Sequence, residues 1–296
     1  MLTRRRFGYL AAAVTTAALT GCAAGDTPDT LYLGAIPDQD HDRLEEIYGT
    51  TAAYLSGRLG IRVEYRPVTD YAAAVGQFRT GDLDLVWFGG LTGVQAAAQV
   101  PGAVPLVQRD IDTRFRSLFL GSTRGGPAPG DLTRLAGTRF TYGSASSTSG
   151  YLMPAYHLRR AGVDPENGFT GPPGFSGSHD KTIDLVEAGS YQAGAVNEQV
   201  WAARLAEGSV DRSRVRVLWR TPPYHDYHWV LGPGAAARFG ADVGRRIAGA
   251  FTALTPSTDP RGLLALYGCA SFVPTEAANY RQVAEIGRAL GLVRPS

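Results

Sequence analysis

Between residues 31 and 108 strand patterns and helix patterns alternate, and this alternation limits the fold more than any other feature of the chain. Residues 31–36 (Leu-Tyr-Leu-Gly-Ala-Ile) read as a buried strand that ends at Pro37. Leu44, Ile47, Tyr48, Ala52 and Leu55 recur at helical spacing through residues 42–59, and Gly60 stops that helix. Residues 61–65 alternate as a second strand, Asp70 caps a helix that runs to Phe78, and residues 83–88 form a third strand before Gly89-Gly90. A helix over 91–99 then leads to a strand over 104–108. Elements of these lengths in this order predict a mostly parallel sheet with helices on both faces. Ligands of such sheets collect at the carboxyl ends of strands, and Tyr71, Trp87 and Phe88 fall at or just beyond such ends.

Beyond residue 115 the pattern continues with more punctuation. Residues 116–120 and 138–142 read as strands, separated by a Gly/Pro-rich loop over 121–130 and a short helix over 131–135. A helix over 151–160 ends in Arg159-Arg160-Ala161-Gly162, a basic last turn before a glycine. Ser178 is placed to cap the next helix, with His179 in its first turn. A strand over 193–198 ends in Asn197 and Glu198, and a strand over 215–219 runs into Tyr224-His225-Asp226-Tyr227-His228. Residues 235–296 read as helical, with Phe251, Leu254, Leu263, Leu264 and Leu266 as core candidates.

The chemistry concentrates in Ser144-Ala145-Ser146-Ser147-Thr148-Ser149-Gly150, between the strand over 138–142 and the helix that follows. One serine before a helix is an ordinary cap, but five hydroxyls in six positions exceed what capping requires. Free N–H groups and the positive helix end converge there, and Ser147, Thr148 and Ser149 add donors, so the turn is suited to an anion. His179 opens a second helix in a similar Ser/Gly turn. Asp226 and Glu198 do not suit a bare anion; they suit a ligand that keeps a proton or carries an amino group. A serine hydrolase is the competing reading, since Ser147, His179 and Asp226 make triad-like company. Such an enzyme of this fold class shows G-x-S-x-G at its nucleophile, and here the first glycine is missing. His225 and His228 lack a third ligand at fixed spacing, so no metal site is expected. No Walker-type loop, C-x-x-C or H-E-x-x-H occurs, and no cofactor is expected.

Residues 1–21 form a targeting segment: Arg4-Arg5-Arg6, then an apolar run from Gly8 to Leu19. Leu19-Thr20-Gly21-Cys22 resembles a bacterial lipobox, which makes Cys22 a lipidated first mature residue and residues 22–30 a tether. The predicted location is the extracytoplasmic face of the cell membrane, held by lipid. The segment holds three arginines and no acids, so its removal takes the formal net charge from +2 to −1 (2 − 3) and makes nucleic acid an unexpected partner. Cys269 then has no cysteine to pair with.

The chain resembles the phosphate/phosphite/phosphonate-binding proteins of ABC importers. The resemblance rests on Ser147-Thr148-Ser149-Gly150-Tyr151-Leu152, Gly177-Ser178-His179-Asp180, Val68-Thr69-Asp70-Tyr71-Ala72 and Trp87-Phe88-Gly89. It implies a two-lobe periplasmic-binding-protein fold of type II, α/β, with mixed, mostly parallel sheets and hinge crossovers. Residues 31–118 and 225–296 would form one lobe and 119–224 the other. It also implies a monomer that delivers a small oxyanion to membrane permease subunits. By resemblance Ser147, Thr148, Ser149 and His179 hold the oxyanion from one lobe, and Tyr71 and Trp87 face it from the other. Asp226 falls where the family places a carboxylate near the ligand, with Glu198 a second. The family's tyrosine in F-G-P-x-S-Y is here Gly93. Val107-Gln108-Arg109, Asn197-Glu198-Gln199-Val200-Trp201 and Thr221-Pro222-Pro223-Tyr224 resemble a sub-branch named for selenate. Asp226 separates these ligands, because selenate is fully deprotonated near neutral pH and a phosphonate or phosphite is not.

Overall fold

The structure is a computed structural model that describes residues 29–293; the leader, Cys22 and most of the tether lie outside the described residues. The first half of the pattern folds as its periodicity dictates. β1 (Thr30–Ala35), α1 (His41–Leu59), β2 (Arg62–Tyr65), α2 (Tyr71–Thr80), β3 (Leu85–Phe88), α3 (Gly90–Gln99) and β4 (Val104–Arg109) follow in order. Gly60 ends α1 in the left-handed conformation (φ 68°) and donates to the Ser56 carbonyl, a stop that only glycine takes at no steric cost. Asp70 caps α2 by accepting from the Ala73 N–H at 2.8 Å.

β5 (Ser117–Ser122) opens a second sheet with β6 (Phe140–Tyr142), β7 (Gly174–Phe175), β8 (Ala193–Asn197) and β9 (Val215–Arg220). Between them lie α4 (Met153–Arg160), α5 (His179–Glu187) and α6 (Glu198–Ala206). The chain returns to the first sheet as β10 (His228–Leu231), then α7 (Gly234–Phe239), α8 (Val243–Thr252), α9 (Leu263–Leu266), β11 (Phe272–Pro274) and α10 (Arg281–Ala289). The strand order is β11-β4-β10-β3-β1-β2 in the six-stranded sheet and β7-β6-β8-β5-β9 in the five-stranded one.

The sheets are mixed, as the fold class implies, but parallel pairs do not predominate in them. Parallel pairing is confined to β2–β1–β3 and β7–β6–β8, and β10, β11, β4, β5 and β9 pair antiparallel. The reason is topological. β5 leaves the first sheet and β10 returns to it, and a strand that arrives from the other half enters against its neighbours. The crossover segments run side by side, with Phe115 and Tyr224 exchanging backbone hydrogen bonds at 2.8 and 3.0 Å. Residues 235–296, read as helical, also contain β11, a strand of three residues at the sheet edge. The short helix expected at 131–135 is a single 3₁₀ turn, Leu132–Leu135.

The main core packs on the six-stranded sheet. Trp229 on β10 is fully buried, stacks on Phe251 at 5.6 Å between ring centroids and packs on Trp87 at 5.4 Å. That contact ties the returning strand to β3 and so fixes the loop before β10, which carries Asp226. Phe251, Leu254, Leu263 and Leu264 are core residues as expected, with Leu266 partly buried beside them. Trp229→Ala is expected to cost about 3–5 kcal/mol, the usual range for deleting a buried aromatic ring, read as a lower urea midpoint with an unchanged m-value.

Candidate functional site

Apart from Asp226 and Tyr227, in the loop that leads into β10, the polar groups of the candidate site sit at the carboxyl end of a strand or the start of the helix after it. Asp38 follows β1, Tyr71 opens α2, and Gly89-Gly90 joins Trp87 on β3 to α3. On the other half the serine turn follows β6, His179 follows β7, and Asn197 ends β8. Tyr71, Trp87, Ser147, Thr148, Ser149, His179 and Asp226 are each no more than 2% exposed, so the faces that carry them are pressed together.

The serine turn is tighter in structure than a plain N-cap. Thr148–Leu152 form a single π turn that runs directly into α4. Ser147 caps it by accepting from the Gly150 N–H at 2.9 Å. The first N–H groups of a helical turn have no acceptor within it, so those of Thr148 and Ser149 are available to an anion. The Thr148 hydroxyl reaches across to the other half and accepts from the Leu91 N–H at 2.9 Å.

Asp226 stands opposite this turn. Its Oδ1 accepts from the Gly90 N–H at 2.8 Å, at the start of α3, while its Oδ2 is buried and has no hydrogen-bond partner among the described residues. Burial pushes its pKa up to about 7, against the opposing influence of the Gly90 N–H and the Thr148 hydroxyl. The Tyr71 hydroxyl is likewise buried and unpartnered. Burial, then the Asp38 and Asp226 charges, hold that phenol well above its ordinary pKa, so it is a neutral donor.

His179 is a donor as well. Its Nδ1 accepts from the Asn197 backbone N–H at 3.3 Å, and burial lowers its pKa to about 3. A neutral imidazole that accepts at Nδ1 carries its proton on Nε2, and Nε2 lies 3.5 Å from the Ser149 hydroxyl. This tautomer cannot take a proton from a serine, and no carboxylate orients Nδ1, so the triad-like trio does not assemble as a triad. His225 and His228 also go separate ways. His225 Nδ1 meets Gln108 Oε1 at 3.2 Å, while His228 stacks on Tyr280 at 3.8 Å between centroids. A Cβ at Gly93 would sit 2.4 Å from the His228 imidazole, so His228 fills the room where the family's tyrosine would start.

Glu198 stands apart from this cluster. It opens α6 with its side chain 25% exposed and 3.7 Å from Arg220. Sequence reasoning missed Asp38 and Asn197 as site residues and held Tyr227 only as part of the polar run from Tyr224 to His228. The Tyr227 hydroxyl donates to Asp38 Oδ2 at 2.8 Å and accepts from Asn197 Nδ2 at 3.0 Å, and its ring stacks on Trp87. The signal available for Asp38 was its place just past a strand end.

Comparison with known proteins accords with this geometry. Residues 33–280 match the family model described as ABC transporter, phosphonate, periplasmic substrate-binding protein. The chain belongs to that family. Among its relatives is the "Probable ABC transporter phosphite binding protein PhnD1" of Prochlorococcus marinus strain MIT 9301, 40% identical over 278 residues, which cover 90% of this chain and 92% of the relative. The structure of PhnD1 in complex with methylphosphonate superposes with a TM-score of 0.86 and is covered in full by 90% of this chain. A phosphate-import protein, PhnD of Mycolicibacterium smegmatis, is 26% identical over 204 residues, 66% of this chain and 63% of its own. Among the described residues no helix of this family member is long and apolar enough to cross a membrane.

The raised pKa of Asp226 has a consequence for stability. A carboxyl whose folded pKa (about 7) exceeds its ordinary 3.8 favours the fold below the ordinary value and opposes it increasingly as pH rises through the folded one. Asp226→Asn removes that opposition. Without ligand the variant is expected to be more stable than the parent at pH 8, by about 2–4 kcal/mol, with the difference shrinking towards pH 4. Thermal unfolding at the two pH values measures it.

Proposed function

We propose that this protein captures a tetrahedral phosphorus oxyanion that keeps a proton, a phosphite or small alkylphosphonate, and delivers it to the permease of an ABC importer. The observation that carries the reading is the pairing of Asp226 with the serine turn. The N–H groups of Thr148 and Ser149, the hydroxyls at 147–149, the Nε2–H of His179 and the Tyr71 hydroxyl supply donors to the anion, with the Trp87 end of β3 facing it from the first half. Asp226 Oδ2, buried and unpartnered, is an acceptor set among them. An anion without protons meets that carboxylate as a like charge, whereas a monoprotonated one donates to it. Selenate, the alternative reading, brings no proton. Glu198, paired with Arg220 outside this cluster, does not decide the ligand.

In this reading the six-stranded sheet and its helices move as one lobe against the five-stranded sheet, bending where Phe115 and Tyr224 pair, so the boundary falls just before β5 and not at residue 118. The protein works as a monomer, is held to the membrane by lipid on Cys22, and binds its ligand without transforming it. The family relatives, named for transport of phosphite and phosphate, support the transport role.

Calorimetric titration with phosphite, methylphosphonate, 2-aminoethylphosphonate, phosphate, sulfate and selenate tests the ligand. Phosphite or methylphosphonate is expected to bind at one per chain and be recovered unchanged. Each charge-assisted hydrogen bond contributes about 1.5–3 kcal/mol, so Thr148→Ala or Ser149→Ala should weaken binding by roughly ten- to a hundredfold. Asp226→Asn should weaken phosphite binding and leave selenate equal or tighter. Preference of the parent for selenate or sulfate over all phosphorus ligands would overturn the assignment. For the anchor, Cys22→Ala should release mature protein from membranes; retention would contradict lipidation.

A further inference from the structure

We propose that Asp38 is a second specificity-determining carboxylate of the cleft: with Asp226 it requires two protons in the closed complex, carried by the carboxyls or by the captured oxyanion. The inference rests on the reading of the cleft as an oxyanion site and adds a residue that neither the sequence pattern nor the family assignment picked out.

Asp38 lies three residues past β1, 3% exposed, in a tight turn where its N–H reaches the Ile36 carbonyl at 3.0 Å. Its own carbonyl accepts from the His179 N–H at 3.0 Å, and its Oδ2 accepts from Tyr227, which Asn197 holds in turn. Both halves of the molecule therefore meet on this residue. Oδ1 is buried and has no hydrogen-bond partner among the described residues. Asp38 thus repeats the arrangement of Asp226: one oxygen fixed by a donor, the other bare.

No cation is dedicated to either carboxylate. The titratable groups facing Asp38 are Tyr48 on α1, Tyr65 on β2, Tyr71 on α2, Tyr227 before β10, Arg109 at the end of β4 and Asp180 on α5. The four phenols are neutral donors. Arg109 is committed to Asp112 through Nε (2.7 Å) and Nη2 (2.8 Å), a pair with no net charge. Asp180 is a further carboxylate, engaged by the Asp40 N–H at 3.1 Å and by Arg204 at 3.7 Å. His179 ties Asp38 to the serine turn that Asp226 faces: its N–H reaches the Asp38 carbonyl at 3.0 Å and its Nε2 lies 3.5 Å from the Ser149 hydroxyl. Closing the cleft on an anion sets three negative groups together away from water, and buried like charges are relieved by taking up protons. One proton serves Asp226 and the ligand. The second resides on Asp38 or on a ligand oxygen that faces it.

Calorimetry with methylphosphonate at about pH 8.5, in two buffers of different ionisation enthalpy, counts the protons taken up on binding. The parent is expected to take up about two and Asp38→Asn about one, so affinity falls about a hundredfold per pH unit in the parent and about tenfold in the variant. The variant keeps an acceptor for Tyr227 and presents N–H in place of Oδ1, so it should also bind sulfate at least tenfold more tightly than the parent does. A merely structural role would weaken binding without changing the proton count. An unchanged count in Asp38→Asn overturns the proposal. Should the variant fail to fold, the parent's own count decides: a single proton overturns the role of Asp38 and leaves the oxyanion reading standing. A parent that binds methylphosphonate not at all overturns both.

Discussion

The structure turns on one carboxylate held against one helix start. Asp226 Oδ1 accepts from the Gly90 N–H at 2.8 Å, which fixes the first turn of α3. That turn presents the Leu91 N–H to the Thr148 hydroxyl at 2.9 Å, so the same few atoms join the serine turn to the opposite half. A carboxylate favours a helix N-terminus through the dipole and through its unpaired N–H groups. Here only one of its oxygens is satisfied. The other has no partner among the described residues, and in the proposed complex it shares a proton with an oxygen of the oxyanion.

The remaining geometry places donors around that acceptor and keeps them from titrating. Burial holds Tyr71 and His179 neutral, and the Asn197 N–H fixes which imidazole nitrogen carries hydrogen. Neutral donors lose little when an anion arrives, because nothing has to deprotonate or turn. The fold makes this possible by bringing carboxyl ends of parallel strands from two sheets face to face. Core packing supplies the precision: Trp229, between Phe251 and Trp87, sets the height of the loop that carries Asp226.

How much of this was legible in the sequence depended on whether the signal was local. The strand–helix alternation from residue 31 to 108, the caps at Asp70 and Ser178 and the hydroxyl-rich turn are local features, and the elements formed where they pointed. β10 and β11 gave no comparable signal. Four residues, His-Trp-Val-Leu, and three, Phe-Val-Pro, become strands because a sheet assembled elsewhere accepts them. For the same reason the parallel character was overestimated: pairing direction depends on which half a strand comes from, and periodicity carries no record of that. Asp38 was passed over because an acid after Pro37 looks like any turn residue until Tyr227, 189 positions later, is seen to bond it. Glu198 was drawn in by its neighbour Asn197, yet the helix start at residue 198 turns it towards Arg220. Gly93 reads as a departure from the family until His228 is seen to occupy its space.

The central claim is that the cleft holds its oxyanion with a proton shared with a buried carboxylate. Phosphorus NMR of methylphosphonate bound to the parent, followed from pH 6 to pH 9, tests it most directly. The account predicts one bound resonance whose shift stays near that of the monoanion across the range, while free ligand in the same tube titrates to the dianion. A bound resonance that follows the free ligand to the dianion position would contradict it.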